Sequence, residues 1–178
     1  LFENLENSIE FSYAKSAHAD QQQLVDMLTA VASTSDKVFL HEDASLVAPY
    51  PQFKVLKNGV ETGILFNGIP NGHEFSSLVL AILNIDGKGK MPDEGLAARI
   101  KNLKGPVRIQ TYISLTCENC PNVVQALNQM AIIHSDFKHT MIDGAYAQDE
   151  IEKASQAVGY YQTTFTTELT QYNNCWQL

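Results

Sequence analysis

Apolar and polar positions alternate with two different periods along the chain, and the switches between them mark out its elements. Ile9 to Ala14 alternates as a strand, and a polar loop follows at Ser16 to Asp20. Leu24, Met27, Leu28 and Val31 then recur at helical spacing, which predicts a helix over 21–32. Lys37 to His41 reads as a second strand, Gln52 to Leu56 as a third and Val60 to Phe66 as a fourth. Lys57, Asn58 and Gly59 supply a hairpin between the last two, Asn-Gly being the strongest short signal for such a turn. From Asn71 to Leu83 an Asn, a Glu three residues later and an apolar run read as a capping box opening a helix. The order so far is β-α-β-β-β-α.

Residues 86–95 are rich in glycine and charge and nearly free of apolar side chains, so they read as a linker. Pro92, Asp93 and Glu94 should start a helix, because proline fits a first turn and acids favour its positive end. The earlier pattern then begins again. Pro106 to Leu115 alternates as a strand, Thr116 to Asn119 is a polar loop, Pro121 to Ile133 is amphipathic and Lys138 to Ile142 is a strand. A shift of 101 residues lays KVFLHED at 37–43 on KHTMIDG at 138–144. The same shift lays Ser16-Ala17-His18-Ala19 on Cys117-Glu118-Asn119-Cys120 without a gap. This self-similarity predicts two copies of one α/β unit, at 1–85 and 96–178.

Charge and composition narrow the function. A formal net charge of -8 and the lack of a basic run exclude nucleic acid and anionic lipid as natural partners. The longest apolar stretch, Leu78 to Leu83, falls far short of the roughly twenty residues a spanning helix needs, so no membrane segment is expected. The first ten residues have neither a basic start nor an apolar h-region, so no secretory signal is read there. The 3 cysteines are too few for a disulfide framework, and two of them form a Cys-x-x-Cys. A reducing, cytoplasmic compartment with a working dithiol is the expectation.

Cys117 and Cys120 stand where a strand gives way to a helix. The first sulfur of such a pair meets unpaired N–H groups and the positive end of the helix dipole, which stabilise its thiolate. Cys117 is therefore expected to attack, and Cys120, one turn on beside Val123 and Val124, to resolve. The carboxylate of Glu118 opposes the dipole, which favours a reducing pair over an oxidant. Two other readings compete. Cys117, Cys120, His134 and His139 fit the spacing C-x₂-C-x₁₃-H-x₄-H of a zinc finger, but the cysteines open a helix and His139 falls in a strand, which that finger does not allow. An inert cysteine pair is the second. Cys175 is given no role. Glu74 has two readings, a helix cap or an acid whose proton affinity burial raises enough to serve the dithiol. His73 and His18 read as solvated surface histidines.

Two stretches, GIPNGHEFSSLVLAIL at 68–83 and TYISLTCENCPNVVQALNQMA at 111–131, the latter continuing to HTMIDG at 139–144, resemble the N-terminal domain of the alkyl hydroperoxide reductase flavoprotein. The likeness spans about residues 1 to 155. It implies two fused thioredoxin-like folds, mixed sheets flanked by helices, of which the first has lost its cysteines. It also implies a disulfide relay: a flavin disulfide reductase module, using FAD and NADH, reduces the dithiol, which then reduces a peroxiredoxin. Carried over, Cys117 attacks, Cys120 resolves and Glu74 is the acid-base. Pro51 falls where such folds keep a cis proline, a trans loop proline being the alternative.

Two departures stand out. No G-x-G-x-x-G occurs, so no flavin or nicotinamide site is expected in this chain. In the second copy Ala157-Val158-Gly159-Tyr160 replaces the family's Val-Pro, and only 19 residues follow Gly159 where 32 separate Pro51 from Asn84. The second fold is thus expected to be truncated at its C-terminal end, with a strand at 163–169. A non-catalytic binding or scaffold module is the alternative function that this departure suggests.

Overall fold

The structure is a computed structural model that describes residues 1–153 and 155. The tail on which Gly159, the strand at 163–169 and Cys175 were read lies outside the described residues. Six strands, β1 (Ile9–Lys15), β2 (Val38–Val47), β3 (Gln52–Lys57), β4 (Val60–Asn67), β5 (Val107–Ile113) and β6 (Phe137–Asp143), form one sheet in the order β2-β1-β3-β4-β6-β5. The helices are α1 (Gln21–Ala32), α2 (Phe75–Asp86), α3 (Glu94–Lys101) and α4 (Cys120–Ile133). Within the described residues, every strand and helix read from the hydrophobic pattern is present. The largest extension is in β2, which runs six residues past His41 along the sheet edge.

The sheet is mixed. β1 runs parallel to β2 and antiparallel to β3, β3 and β4 form the hairpin, and β6 runs parallel to both β4 and β5. The Asn-Gly signal is realised in left-handed backbone, with φ 50° at Asn58 and 78° at Gly59. The two sequence copies therefore share a single sheet, joined where Ile64 to Asn67 pairs with His139 to Ile142. Alternate residues Phe11, Phe53, Val55, Ile64, Phe66, Phe137 and Met141 are buried along one face. Phe53 and Phe66 stack with ring centroids 5.0 Å apart, and Phe11 meets Phe53 edge-on. This period-two burial is what a half-covered sheet requires. α2 and α4 lie side by side, with α4 packed on β4, β6 and β5, so the helix that begins at the dithiol bridges the two halves.

The linker is tied down at both ends. α2 stops at Gly87, whose φ of 85° suits glycine. Asp86, its last residue, accepts from the backbone N–H groups of Glu6 and Asn7 and from the Asn7 amide at 2.7 to 3.2 Å, and Lys88 lies 3.4 Å from it. A carboxylate at a helix C-terminus is unfavourable by itself, and these donors offset that cost while anchoring the N-terminal segment. Together they hold the Asp86 carboxyl below its ordinary range against the upward pull of desolvation. The helix expected after Pro92 forms, but Asp93 is its N-cap, accepting from Leu96 N–H at 2.9 Å, so Pro92 lies just ahead of α3 and not in its first turn; Gln129 on α4 donates to Lys90 O at 2.8 Å.

Pro51 is not the cis proline. Among the described residues the cis peptide precedes Pro106, ahead of β5, and the bond before Pro51 is trans. Pro51 begins no ladder of its own; its carbonyl accepts from Gly68 N–H at 2.8 Å and so fastens the start of β3 to the end of β4.

His139, in the middle of β6, is wholly buried. Its Nδ1 lies 2.7 Å from Asn128 Oδ1 and its Nε2 lies 2.9 Å from Thr111 Oγ1. With Oδ1 as acceptor, Nδ1 carries the proton and Nε2 accepts the hydroxyl, so the neutral ring is satisfied. Burial lowers its pKa from 6.5 to about 4. Between those two values the unfolded chain binds a proton that the folded one refuses. Stability from this group is therefore complete above pH 6.5 and falls as the pH drops toward 4, by about 3 kcal/mol at most. The urea midpoint of His139→Gln should lose this part of its pH dependence relative to the parent, whatever its absolute stability. Parallel curves between pH 7 and pH 4 would contradict the assignment.

Candidate active site

The chain leaves β5 at Ile113 and makes a short loop before α4 begins at Cys120. Cys117 N–H donates to Ser114 O at 2.9 Å, which turns the loop back toward the helix. Pro121 occupies the first turn of α4, where its missing N–H costs nothing. Cys117 and Cys120 are joined as a disulfide, with Cα atoms 5.5 Å apart. The N–H of Cys120, the first residue of α4, donates to Cys117 Sγ at 3.2 Å. Helix formation thus aims a donor at the first sulfur, which is the electrostatic feature expected of an attacking thiol. Both cysteines are half-buried, and Cys120 packs against the core. Val124 is buried, whereas Val123 and Glu118 are exposed.

The zinc arrangement is not assembled. His134 Nε2 lies 2.9 Å from Leu103 O while its Nδ1 accepts from Asp136 N–H at 3.1 Å, and His139 is held in the buried network described above. Among the described residues no group of three or more His, Cys, Asp or Glu side chains is gathered to hold a metal ion.

Glu74 corrects one expectation and sharpens the other. The capping box does not form: Asn71 makes no side-chain cap, and its backbone carbonyl accepts from Glu74 N–H at 3.1 Å. A 3-10 turn over Gly72–Glu74 precedes α2, and this tighter turn swings Glu74 inward to complete burial. Its Oε2 accepts from the Ser77 hydroxyl at 2.6 Å, and its Oε1 has no hydrogen-bond partner. Desolvation raises the Glu74 pKa, the Ser77 bond and nearby His73 opposing it only in part. The turn that carries Glu74 rests on α4 and on the loop before Cys117. His73 N–H lies 3.4 Å from Leu115 O, and a Cβ on Gly72 would come within 2.8 Å of the same oxygen. Gly72, at φ 55°, is thus required both for its backbone and for this approach.

Two residues of this neighbourhood escaped the sequence reading. Ser77 is fully buried on α2, and Gln125, on α4, places Nε2 3.2 Å from Ser76 Oγ and 3.5 Å from Ser77 Oγ. A small polar residue within an otherwise apolar helical stripe, three positions after Glu74, was the available signal.

The first copy's counterpart of the dithiol loop has a different fate. His73 is exposed as expected, but His18 is only partly so. Its ring meets Tyr146 edge-on at 5.1 Å, Tyr146 donates to Asp20 at 2.8 Å, and Tyr50 stacks on Tyr146 at 5.8 Å. A side chain from just past β6 therefore fastens onto the cysteine-free loop.

The chain is 41% identical over 152 residues to the alkyl hydroperoxide reductase AhpF of Staphylococcus aureus, the match covering 85% of this chain and 30% of that protein. The N-terminal domain of AhpF from Enterococcus faecalis superposes with a TM-score of 0.77 at 29% identity, covering 84% of this chain and 77% of that one. The chain is a relative of the N-terminal domain of AhpF. It spans under a third of the length of its curated AhpF relatives. A protein disulfide oxidoreductase from Aeropyrum pernix has the same fold, with a TM-score of 0.64 at 18% identity over 84% of this chain and 73% of that one. The fold class is therefore the tandem thioredoxin-like α/β arrangement that the resemblance to the reductase implied. A family profile described as POTRA domain TamA domain 1 matches only residues 144–178. No helix among the described residues is long and apolar enough to cross a membrane.

Proposed function

We propose that the chain is a thiol-disulfide relay, in which the Cys117–Cys120 pair takes electrons from a flavin disulfide reductase module and passes them to the disulfide of a peroxiredoxin. The observation that carries this reading is a closed disulfide at a strand-to-helix junction with a helical N–H on the first sulfur. FAD and NADH enter only through the reductase module. The tandem copies, at 1–85 and 96–178, divide the work: the second bears the sulfurs and the first supplies Glu74.

The Cys117 thiolate attacks one sulfur of the partner disulfide, forming a mixed disulfide and releasing the partner's other sulfur as a thiolate. The Cys120 thiol gives its proton to the Glu74 carboxylate, and its sulfur attacks Cys117 Sγ. The mixed disulfide breaks, the Cys117–Cys120 bond closes, and the partner leaves with both sulfurs reduced. Two electrons have moved from the dithiol to the partner. The raised proton affinity of Glu74 supports this part, because a carboxylate closer in pKa to a thiol is a better base for it.

The test is a titration of the pre-reduced chain, freed of reductant, with an oxidised two-cysteine peroxiredoxin. Two thiols should disappear from the chain for each peroxiredoxin disulfide reduced. A chain that remains fully reduced would favour the scaffold reading instead.

A further inference from the structure

Glu74 is buried beside the dithiol helix with one oxygen held and the other free, and what decides which is held lies outside the cysteine motif. Ser77 is one turn further along α2, fully buried, with its hydroxyl 2.6 Å from Glu74 Oε2. A serine hydroxyl has one hydrogen to give, and here it goes to the carboxylate. Gln125 faces the same two serines from α4, five residues after Cys120, with Nε2 3.2 Å from Ser76 Oγ and 3.5 Å from Ser77 Oγ. Ser76 Oγ in turn donates to His73 O at 2.9 Å, which fixes the turn that presents Glu74. A polar chain therefore runs from the dithiol's own helix through the serines to the carboxyl.

We propose that Ser77 is a positioning residue for the relay: it holds Oε2 of Glu74 so that Oε1 is the oxygen that exchanges the proton with Cys120, and Gln125 ties that arrangement to α4. The assignment rests on the relay reading above and deepens it. Three features support it. Oε1 is buried without a hydrogen-bond partner, a costly state for an ionised oxygen that favours taking up a proton there. A carboxyl held by one hydrogen bond cannot rotate to exchange its two oxygens without breaking that bond. The bond favours the ionised form, opposing the desolvation that raises the pKa, so Ser77 also sets how far the proton affinity climbs.

The measurement is the pH profile of disulfide closure in the full chain, pre-reduced and mixed with oxidised peroxiredoxin, with release of the mixed disulfide as the readout. Closure should depend on a group with the raised pKa of Glu74. Ser77→Ala removes a stabiliser of the carboxylate and should move that limb to higher pH by about one unit. Ser77→Thr, which keeps the hydroxyl, should restore it. Glu74→Gln should erase the limb, and Ser77→Ala added to Glu74→Gln should then change nothing further in the profile. A ¹³C titration of the Glu74 carboxyl in the oxidised chain gives an independent reading, because it needs no turnover. If Ser77→Ala slows closure equally at every pH and leaves the carboxyl pKa in place, the positioning role is overturned while the relay stands. If Glu74→Gln keeps the limb, Glu74 is not the base, and the failure belongs to that part of the relay reading.

Discussion

Cys117→Ser should lower the rate of disulfide exchange with a peroxiredoxin by about a thousandfold or more, because a serine hydroxyl is not ionised at neutral pH and cannot form the mixed disulfide. The companion variant separates the two sulfurs. Cys120→Ser retains the attacking thiolate and loses the group that resolves it, so it should accumulate a covalent adduct with the partner that reductant dissolves. The donor geometry favours this order, since the helical N–H points at Cys117 Sγ. If the roles were reversed, Cys117→Ser would be the variant that accumulates the adduct. Thiol counting and non-reducing electrophoresis on the two variants distinguish the cases directly. A Cys117→Ser protein that still reduced the peroxiredoxin at the parent's rate would end the proposed chemistry.

The second large effect is expected far from the sulfurs, at Gly63→Ala. Gly63 lies in β4 with φ of 82°, a conformation that side-chain-bearing residues rarely adopt. An added Cβ there would run into the backbone carbonyl of Phe137 at the start of β6 and come 3.5 Å from Ala131 on α4. The obstacle is backbone, so no side chain can swing away. It also sits beside the register in which Ile64 pairs with His139, the beginning of the join between the two halves. Left-handed strain and the overlap together should cost about 3 kcal/mol or more. Urea unfolding of Gly63→Ala against the parent measures it. A midpoint unchanged within error would mean that the seam yields easily and does not depend on this approach.

A contrast with Gly87 sharpens that expectation. Gly87 also has a positive φ, but nothing lies within 4 Å of where its Cβ would be. Both glycines look alike as letters, and their surroundings alone separate them.

Much of the fold could be read directly. The bounds of α1 match the residues given by its apolar stripe, and the Asn58-Gly59 turn, the start of a helix just after Pro92 and the strand-loop-helix setting of Cys117 and Cys120 all follow from signals within a few residues of one another. Such signals survive in the sequence because each element's period and punctuation are local. The 101-residue repeat was legible for the same reason, since two copies of a unit carry the same local pattern in the same order.

Glu74 shows where that legibility stops. Its spacing from Asn71 matched a capping box, yet a 3-10 turn replaces the first helical turn and directs the carboxyl inward to Ser77. The difference arises because Gly72 abuts Leu115 from the other half of the chain, an approach with no trace in residues 71–83. Pro51 is similar: its trans geometry goes with a backbone bond to Gly68 across the hairpin, and the cis bond belongs to Pro106.

By itself, then, the sequence determined the succession of strands and helices, the doubled pattern, and a pair of sulfurs at the mouth of a helix. Only the tertiary structure decided that the copies share one sheet through β4 and β6, that Tyr146 reaches across to the loop without cysteines, and that Glu74 faces the core with one oxygen free. The first set depends on interactions between near neighbours along the chain. The second depends on strand pairing and burial between residues tens of positions apart, for which adjacent letters carry no instruction.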